Sequence, residues 1–258
     1  MKVVLLAGGK GTRITEESEY RPKPLIEIGG MPILWHIMKE YSYYGFNEFI
    51  ICAGYKQEMI KNWFANYFLR TSDVTFDFTR GGAMQIHYNK IEEWKVTIVD
   101  TGLDTMTGGR IKRIQRYIHE DAFMVTYGDG VCDLDLKKLL EFHKSHGKIA
   151  TLTSVILKQD KGTLDIGWDN SVKAFREKEN SNQKLINAGY MVFNNKIFDY
   201  LKNDETILER WPMEQLAKEG ELMSYQHNGF WQCMDTLWEK QQLEHMLHKG
   251  KAPWKVWE

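Results

Sequence analysis

A glycine-rich segment flanked by positive charge lies near the start of the sequence. Residues 8–13 read GGKGTR, and Lys23 follows between two prolines, whose fixed φ angles stiffen its approach. The glycines allow the backbone to turn tightly and to expose amide N–H groups that no side chain covers. Lys10, Arg13 and Lys23 place cations beside those amides. Amides and cations in this arrangement favour a site that binds a polyphosphate.

Two familiar phosphate-binding motifs do not match this segment. A Walker A motif needs a Gly-Lys-Ser or Gly-Lys-Thr triplet, which is missing here. The dinucleotide fingerprint G-x-G-x-x-G fails because Ile14 stands where its last glycine belongs. Taken alone, the glycines also fit a β-turn that merely connects a strand to a helix. The full pattern G-G-x-G-T-R followed by P-K-P is more specific than the glycines themselves.

Two aspartates further along the chain are candidates for binding a metal ion. Asp129 lies between two glycines directly after an apolar run, and Asp235 lies in the stretch WQCMDT. Two carboxylates at strand ends can hold one Mg²⁺, which completes its shell with waters and phosphate oxygens. Each also has a structural alternative, a turn residue for Asp129 and the N-cap of the last helix for Asp235. Their appearance together with the glycine-rich segment favours the metal site.

The segment Asp133-Leu134-Asp135 offers a competing metal site. A D-x-D pair binds metal in many glycosyltransferases that have related nucleotide-binding folds. The alternative is that these aspartates cap the helix that begins near Leu136, and we favour that interpretation. The glycosyltransferase remains the competing hypothesis, and it predicts release of a nucleoside diphosphate.

The composition excludes several classes of function. The chain has 258 residues, of which 34 are basic and 35 acidic, so it carries no bulk positive charge for nucleic acid. No apolar run approaches the roughly 20 residues that span a bilayer, and the first strand begins too early for a signal peptide. The three cysteines form no C-x-x-C pair and are odd in number. We therefore expect a cytoplasmic protein that binds neither nucleic acid nor membrane.

Short apolar runs alternate with helical patterns along most of the chain, which predicts an α/β fold. A mostly parallel sheet covered by helices follows from that order. The predicted strands comprise residues 2–6, 48–53, 122–130, 150–157, 188–194 and 222–228, and the predicted helices comprise residues 33–44, 60–69, 110–118, 134–146, 195–201, 211–219 and 237–248.

Several segments depart from this alternation. Residues 73–101 and 163–175 are β-rich, and we interpret them as insertions, the first as an antiparallel set or as strands at an edge of the main sheet. The second is predicted to be a hairpin with its turn at Asp169-Asn170. Residues 231–236 are expected to form a short loop. The tail 249–258 holds two tryptophans and is expected to dock on its own body or on a neighbouring subunit. We predict a single domain, 1–258.

The quoted motifs resemble those of the sugar-1-phosphate nucleotidyltransferases. The resembling stretches are LAGGKGTR, RPKPLIEIGGMPILWHIMK, FANYF with SDVTF, VTIVDTG with MTGGR, TYGDGV, GFWQCMDT and GKAPWKVWE. MTGGR and APWKVWE are similar to the cytidylyl-transferring members in particular. The resemblance implies a Rossmann-like α/β fold of the GT-A type, a mostly parallel or mixed sheet flanked by helices with a small antiparallel insertion. It further implies Mg²⁺, a homo-oligomer (trimer or hexamer) and the substrates CTP and an α-hexose 1-phosphate, with glucose 1-phosphate the first choice.

The resemblance also assigns roles to individual residues. It implies that Arg13, Lys23, Asp129 and Asp235 are catalytic and that the two aspartates bind the metal. The implied nucleotide-binding residues are Leu6, Ala7, Gly8, Gly9, Lys10, Gly11, Thr12, Arg13, Thr105, Arg110 and Gly128. The implied sugar-phosphate-binding residues are Lys23, Glu177, Lys178, Asn187 and Gly189.

The departures from the family pattern are all on the sugar side. Glu177-Lys178-Glu179 stands where the family commonly has Glu-Lys-Pro, and Asn187-Ala188-Gly189 where it has Asn-Gly-Gly. Residues 160–163 read DKGT in place of Arg-Phe-Gly-Ala. The sequence therefore leaves open which sugar phosphate is used.

Overall fold

Helices and strands alternate along most of the chain, as the apolar pattern predicts. The computed structural model describes residues 1–89, 91–157, 163–166, 168, 171–176 and 184–257. The described strands are β1 (Lys2–Ala7), β2 (Glu27–Ile28), β3 (Met31–Pro32), β4 (Glu48–Ala53), β5 (Ser72–Asp77), β6 (Ala83–Asn89), β7 (Lys95–Asp100), β8 (Ala122–Tyr127), β9 (Gly130–Cys132), β10 (Ala150–Leu157), β11 (Thr163–Ile166), β12 (Val172–Arg176), β13 (Lys184–Asn194), β14 (Leu222–Gln226) and β15 (Trp231–Cys233). The α-helices are α1 (Thr15–Ser18), α2 (Ile33–Tyr43), α3 (Gln57–Ala65), α4 (Tyr67–Thr71), α5 (Thr107–Arg113), α6 (Leu136–His146), α7 (Trp211–Lys218) and α8 (Leu237–His248), and 3₁₀ turns lie at Lys23–Leu25, Phe78–Arg80, Gln115–Tyr117 and Asn195–Tyr200.

A seven-stranded sheet forms the centre of the fold. Its strand order is β14-β10-β13-β8-β1-β4-β7. Strand β1 pairs in parallel with β4 and β8, β4 with β7, and β10 with β14. Strand β13 runs opposite to both of its neighbours, β8 and β10. The sheet is therefore mixed and mostly parallel, which confirms the predicted fold class.

Hydrophobic cores cover both faces of this sheet. Side chains alternate along β1, so Val3 and Leu5 belong to one core and Val4 to the other. The first core contains residues of α2, α3, α6 and α8, and the second contains residues of α5 and α7. Because both faces are buried, the central strands read as continuous apolar runs rather than as alternating patterns.

The two β-rich segments differ in how they join the fold. Strands β5 and β6 form a separate antiparallel hairpin, whereas β7 extends the parallel edge of the main sheet beside β4. Residues 73–101 therefore combine both of the arrangements that we considered. Strands β11 and β12 pair antiparallel, as predicted, and the turn residues Asp169 and Asn170 lie outside the described residues.

One predicted loop is a strand instead. Residues 231–236 were expected to form a short loop, but Trp231–Cys233 forms β15 and pairs antiparallel with β9. The prediction was wrong because three residues are too few to show an alternating pattern, and only the partner strand reveals the pairing.

The C-terminal tail docks on the body of its own chain. Trp254 is 0% exposed, and its indole Nε1 donates to His36 Nδ1 at 3.4 Å. His36 Nε2 lies 2.9 Å from the carbonyl oxygen of Ile28, and Trp254 stacks on Phe230 with ring centroids 5.6 Å apart. Burial lowers the pKa of His36 to about 4, so the imidazole is neutral and can accept this hydrogen bond.

Two further findings concern membrane-spanning helices and the cysteines. Within the described ranges, no helix is both long and apolar enough to cross a membrane. Cys52, Cys132 and Cys233 are all free thiols.

Candidate active site

A cavity of about 630 Å³ opens at the carboxyl ends of β1 and β8. These strands lie side by side, with Leu6 opposite Tyr127, so the loops that follow them leave the same edge of the sheet. Most of the residues singled out in the sequence line this cavity. They are Leu6, Ala7, Gly8, Gly9, Gly11, Thr12, Arg13, Lys23, Thr105, Arg110, Gly128, Asp129, Asn187 and Asp235.

Lys23 joins the two candidate metal ligands. Its ammonium donates to Asp129 Oδ2 at 2.6 Å and to Asp235 Oδ1 at 2.5 Å, and the residue is only 6% exposed. Burial alone would lower the pKa of this ammonium, but the carboxylates of Asp129 and Asp235 more than offset that effect, so its pKa is raised. Burial likewise would raise the pKa of Asp235, and its hydrogen bond from Lys23 reverses the effect and lowers it. Lys23 is therefore a cation and Asp235 an anion in this site.

Strand β15 brings Asp235 to this place. Cys233 pairs with Gly130, and the amide of Met234 donates to the carbonyl of Asp129 at 2.8 Å. The N-cap alternative for Asp235 is wrong. Thr236 caps α8 in a capping box with Glu239, which leaves the Asp235 carboxylate to accept from Lys23 and from Arg13 Nη1.

Arg110 is hydrogen-bonded to the glycine-rich loop that follows β1. Its guanidinium donates to the carbonyls of Gly8 at 3.0 Å and Gly102 at 2.7 Å and to Thr101 Oγ1 at 2.8 Å. A Cβ on Gly8 would lie 2.2 Å from Arg110 Nη1, so only glycine allows this approach. These hydrogen bonds give Arg110 a structural role, and its contact with the nucleotide stays a prediction.

Two assigned residues, Lys10 and Gly189, do not line the cavity, and two others lie outside the described residues. Lys10 is exposed and its ammonium pairs with Asp104 at 2.9 Å. Gly189 lies behind Tyr127, and its φ of +83° together with a Cβ position 2.3 Å from the Tyr127 ring explains why a glycine is needed. Glu177 and Lys178 lie outside the described residues.

Both aspartates of the competing D-x-D segment accept hydrogen bonds from backbone amides. Asp135 caps α6 by accepting from the amides of Lys137 at 3.1 Å and Lys138 at 3.0 Å. Asp133 accepts from the amide of Phe230 at 2.7 Å and lies 2.9 Å from His227 Nε2. Neither aspartate lines the cavity. The capping interpretation is confirmed for Asp135, whereas Asp133 accepts from the amide of Phe230 and does not cap the helix.

Sequence reasoning missed several residues of the cavity wall. Tyr127 directly precedes the Gly-Asp-Gly segment, so its position was a signal that could have been used. Glu209 lies before α7 in a stretch without a motif and offered none. The full set of unassigned lining residues is Pro24, Met106, Thr107, Thr126, Tyr127, Gly130, Ala188, Tyr190, Glu209, Trp231 and Cys233.

Comparison with known proteins identifies the family of this chain. Residues 2–236 match the sequence profile of the nucleotidyl transferase family. The chain belongs to the nucleotidyl transferase family. It is 53% identical over 259 residues to a glucose-1-phosphate cytidylyltransferase from Salmonella typhi, with 100% of both chains covered. It is 44% identical over 258 residues to a probable glucose-1-phosphate cytidylyltransferase from Bacillus subtilis, again with 100% of both chains covered.

A solved structure supports the same fold. The crystal structure of HddC from Yersinia pseudotuberculosis superposes with a TM-score of 0.70, and the match covers 95% of this chain and 99% of that one. Sequence identity is 24%, so this likeness concerns the fold alone. The chain is thus a nucleotidyltransferase with the mixed α/β sheet that the sequence predicts, and the resemblance seen in its motifs is confirmed.

Proposed function

We propose that this nucleotidyltransferase transfers the cytidylyl group of CTP to an α-hexose 1-phosphate, with glucose 1-phosphate the first choice, and releases pyrophosphate. Full-length identity of 53% to a glucose-1-phosphate cytidylyltransferase supports both substrates. The observation that carries the chemistry is the meeting of Lys23, Asp129 and Asp235 in one cavity. Lys23 is 106 residues from Asp129 and 212 from Asp235 along the chain.

Asp129 and Asp235 are a suitable pair for a divalent cation. The Lys23 ammonium lies within 2.6 Å of one carboxylate and 2.5 Å of the other, so the two carboxylates are spaced to share one positive charge. Carboxylate oxygens are also the ligands that Mg²⁺ prefers. These two residues would hold the ion, which when bound orients phosphate oxygens and neutralises their charge.

The reaction needs no nucleophile from the protein. An oxygen of the sugar 1-phosphate forms a bond to the α-phosphorus of CTP while the bond from that phosphorus to pyrophosphate breaks. The attacking phosphate is already an anion at neutral pH, so the protein has only to align two anions and neutralise the developing charge. In the proposed reaction, Lys23 screens the charge at the reacting centre. In the same proposed reaction, Arg13 and the amides of Gly8, Gly9 and Gly11, which line the cavity, hold the departing pyrophosphate.

A substrate matrix tests the proposal. CTP, UTP, dTTP, GTP and ATP would each be combined with the 1-phosphates of glucose, mannose and galactose, and pyrophosphate release would be measured with Mg²⁺ present. We expect the highest kcat/KM for CTP with glucose 1-phosphate. A higher value for another nucleotide would overturn the choice of CTP. Release of a nucleoside diphosphate instead of pyrophosphate would overturn the reaction itself.

The proposed assembly is a homo-oligomer, a trimer or a hexamer, that uses the β5–β6 hairpin. Phe78 is 82% exposed, and Phe76, Met84 and Ile86 of the same hairpin are also exposed. An isolated two-stranded hairpin is marginally stable in water, and a cluster of exposed apolar side chains is typical of an interface. A second copy of the chain is the proposed partner.

The proposed location is cytoplasmic, in keeping with three free thiols.

A further inference from the structure

Glu209 is a carboxylate on the wall of the cavity, anchored by two hydroxyl groups. The Tyr127 hydroxyl donates to Glu209 Oε1, and the Thr107 hydroxyl donates to Oε2 at 2.6 Å. Thr107 Oγ1 in turn accepts from the amide of Leu208 at 3.0 Å, so its single hydrogen is available for Glu209. Contacts with the end of β8 and the start of α5 therefore hold the carboxylate in one orientation.

The anchored carboxylate keeps free capacity to accept hydrogen bonds. Burial and the adjacent Glu209 raise the pKa of the Tyr127 hydroxyl, so this group remains a donor. Each carboxylate oxygen has two acceptor positions, and each uses one of them for a hydroxyl of the protein. No other described residue donates a hydrogen bond to Glu209, so two acceptor positions remain for a ligand.

The charge of Glu209 indicates which part of a substrate it can face. The cavity wall also carries the cations Arg13, Lys23 and Arg110, and the carboxylates of Asp129 and Asp235 pair with Lys23 and Arg13. Within the part of the chain that the structure describes, no lysine, arginine or histidine forms an ion pair with Glu209. An uncompensated carboxylate repels phosphate, so phosphates belong near Lys23 and Arg13. Glu209 is suited to an uncharged group that donates hydrogen bonds.

Of the two partners of Glu209, Thr107 lies two residues from Thr105, which the resemblance assigns to the nucleotide, and Tyr127 contacts the segment assigned to the sugar phosphate. The Tyr127 ring lies against Gly189, where a Cβ would come within 2.3 Å of it. Asn187, two residues earlier, lines the same cavity. Both Asn187 and Gly189 belong to the segment of β13 assigned to the sugar phosphate by resemblance. The Tyr127–Glu209 pair therefore lies beside the sugar side of the proposed site.

We propose that Glu209 accepts hydrogen bonds from hydroxyl groups of the hexose and thereby determines which sugar 1-phosphate is used. Tyr127 and Thr107 are then positioning residues, because they act through Glu209. The proposal rests on the proposed function and adds a residue that distinguishes one hexose from another. An anchored carboxylate discriminates strongly against a sugar that lacks the hydroxyl group it binds. Without that hydroxyl, the carboxylate loses a charge-assisted hydrogen bond.

The first test separates the sugar from the nucleotide. Glu209→Gln keeps the size of the side chain and one oxygen acceptor but removes the charge. We expect kcat/KM for glucose 1-phosphate to fall about 10- to 100-fold, with KM for CTP essentially unchanged. Glu205→Gln is the matched control, since Glu205, like Glu209, is exposed in the same segment but does not line the cavity. Circular dichroism would verify that both variants fold.

The second test uses the 2-, 3-, 4- and 6-deoxy analogues of glucose 1-phosphate. The analogue that lacks the hydroxyl bound by Glu209 should be a poor substrate for the wild type, and Glu209→Gln should cause little further loss with it.

An equal loss with glucose 1-phosphate and with every analogue would overturn the inference. So would a raised KM for CTP with weaker discrimination against UTP, which would assign Glu209 to the cytosine amino group. If the wild type released no pyrophosphate from CTP with any hexose 1-phosphate, the proposed function would fail before the variants were compared, and this inference with it.

Discussion

At the scale of single residues, the Lys23 ammonium donates to two carboxylates from a nearly buried position. A positioned charge of this kind typically contributes about 100- to 1,000-fold to turnover. We therefore expect Lys23→Ala and Asp129→Ala each to lower kcat by about that factor, measured as pyrophosphate release. The far-UV circular dichroism of both variants should match the wild type, because neither side chain belongs to a hydrophobic core.

Lys10→Ala provides the contrast for this experiment. Lys10 is exposed, pairs with Asp104 and does not line the cavity. Its removal should lower kcat by less than about 10-fold, since screened surface charges contribute little. Near-normal turnover of Lys23→Ala would contradict the proposed role of the ammonium.

Glu40 on α2 gives a second prediction at the residue scale, one that concerns stability. It is fully buried, its Oε2 accepts from the Tyr190 hydroxyl at 2.8 Å, and its Oε1 has no hydrogen-bond partner among the described residues. Burial raises the pKa of this carboxyl well above its ordinary value of 4.5. The folded protein therefore keeps a proton that the unfolded chain loses.

The sign of the pH dependence follows from that difference. Above pH 4.5 the unfolded state binds fewer protons than the folded state, so Glu40 lowers the free energy of unfolding as the pH rises. The loss is at most about 1.4 kcal/mol per pH unit. Glu40→Gln should therefore lose less stability than the wild type as the pH rises above about 5 in urea titrations. Parallel curves for the two proteins would show that Glu40 is ionised in the fold.

At the scale of elements, the tail after α8 acts as part of the first core. Trp254 is fully buried between His36 and Phe230, so Trp254→Ala should lower the free energy of unfolding by about 3–5 kcal/mol. Urea denaturation followed by circular dichroism measures this change. Trp238→Ala is the control, because Trp238 is exposed on α8, and it should change stability by less than about 0.5 kcal/mol. Equal effects of the two substitutions would show that the tail is not docked in solution.

At the scale of the whole molecule, the β5–β6 hairpin leads to a prediction about assembly. Glutamate at Phe78 and Met84 would place charge on the exposed apolar face of the hairpin. We expect the double variant Phe78→Glu/Met84→Glu to shift the mass measured by light scattering from a trimer or hexamer to the monomer, since burying unpaired charge is costly. Tyr43→Glu, on the exposed side of α2, should leave the mass unchanged. A wild-type monomer at all concentrations would contradict the proposed assembly.

Local patterns predicted most elements well. Residues 48–53, 150–157 and 237–248 form β4, β10 and α8 with the predicted bounds. Their apolar periods and end signals lie within the segments themselves. The prediction was wrong at residues 231–236, where β15 exists only through its pairing with β9. The helix at 60–69 is also divided, into α3 and α4.

The sequence by itself determined the buried strands, the glycine-rich loop and the family, because each depends on residues that are neighbours along the chain. Only the tertiary structure placed Lys23 between Asp129 and Asp235, assigned the N-cap of α8 to Thr236 and brought Glu209 to the cavity wall. Those contacts join residues that are far apart in the chain. They depend on the strand order and register of the sheet, which follow from packing of the whole molecule and not from any local pattern.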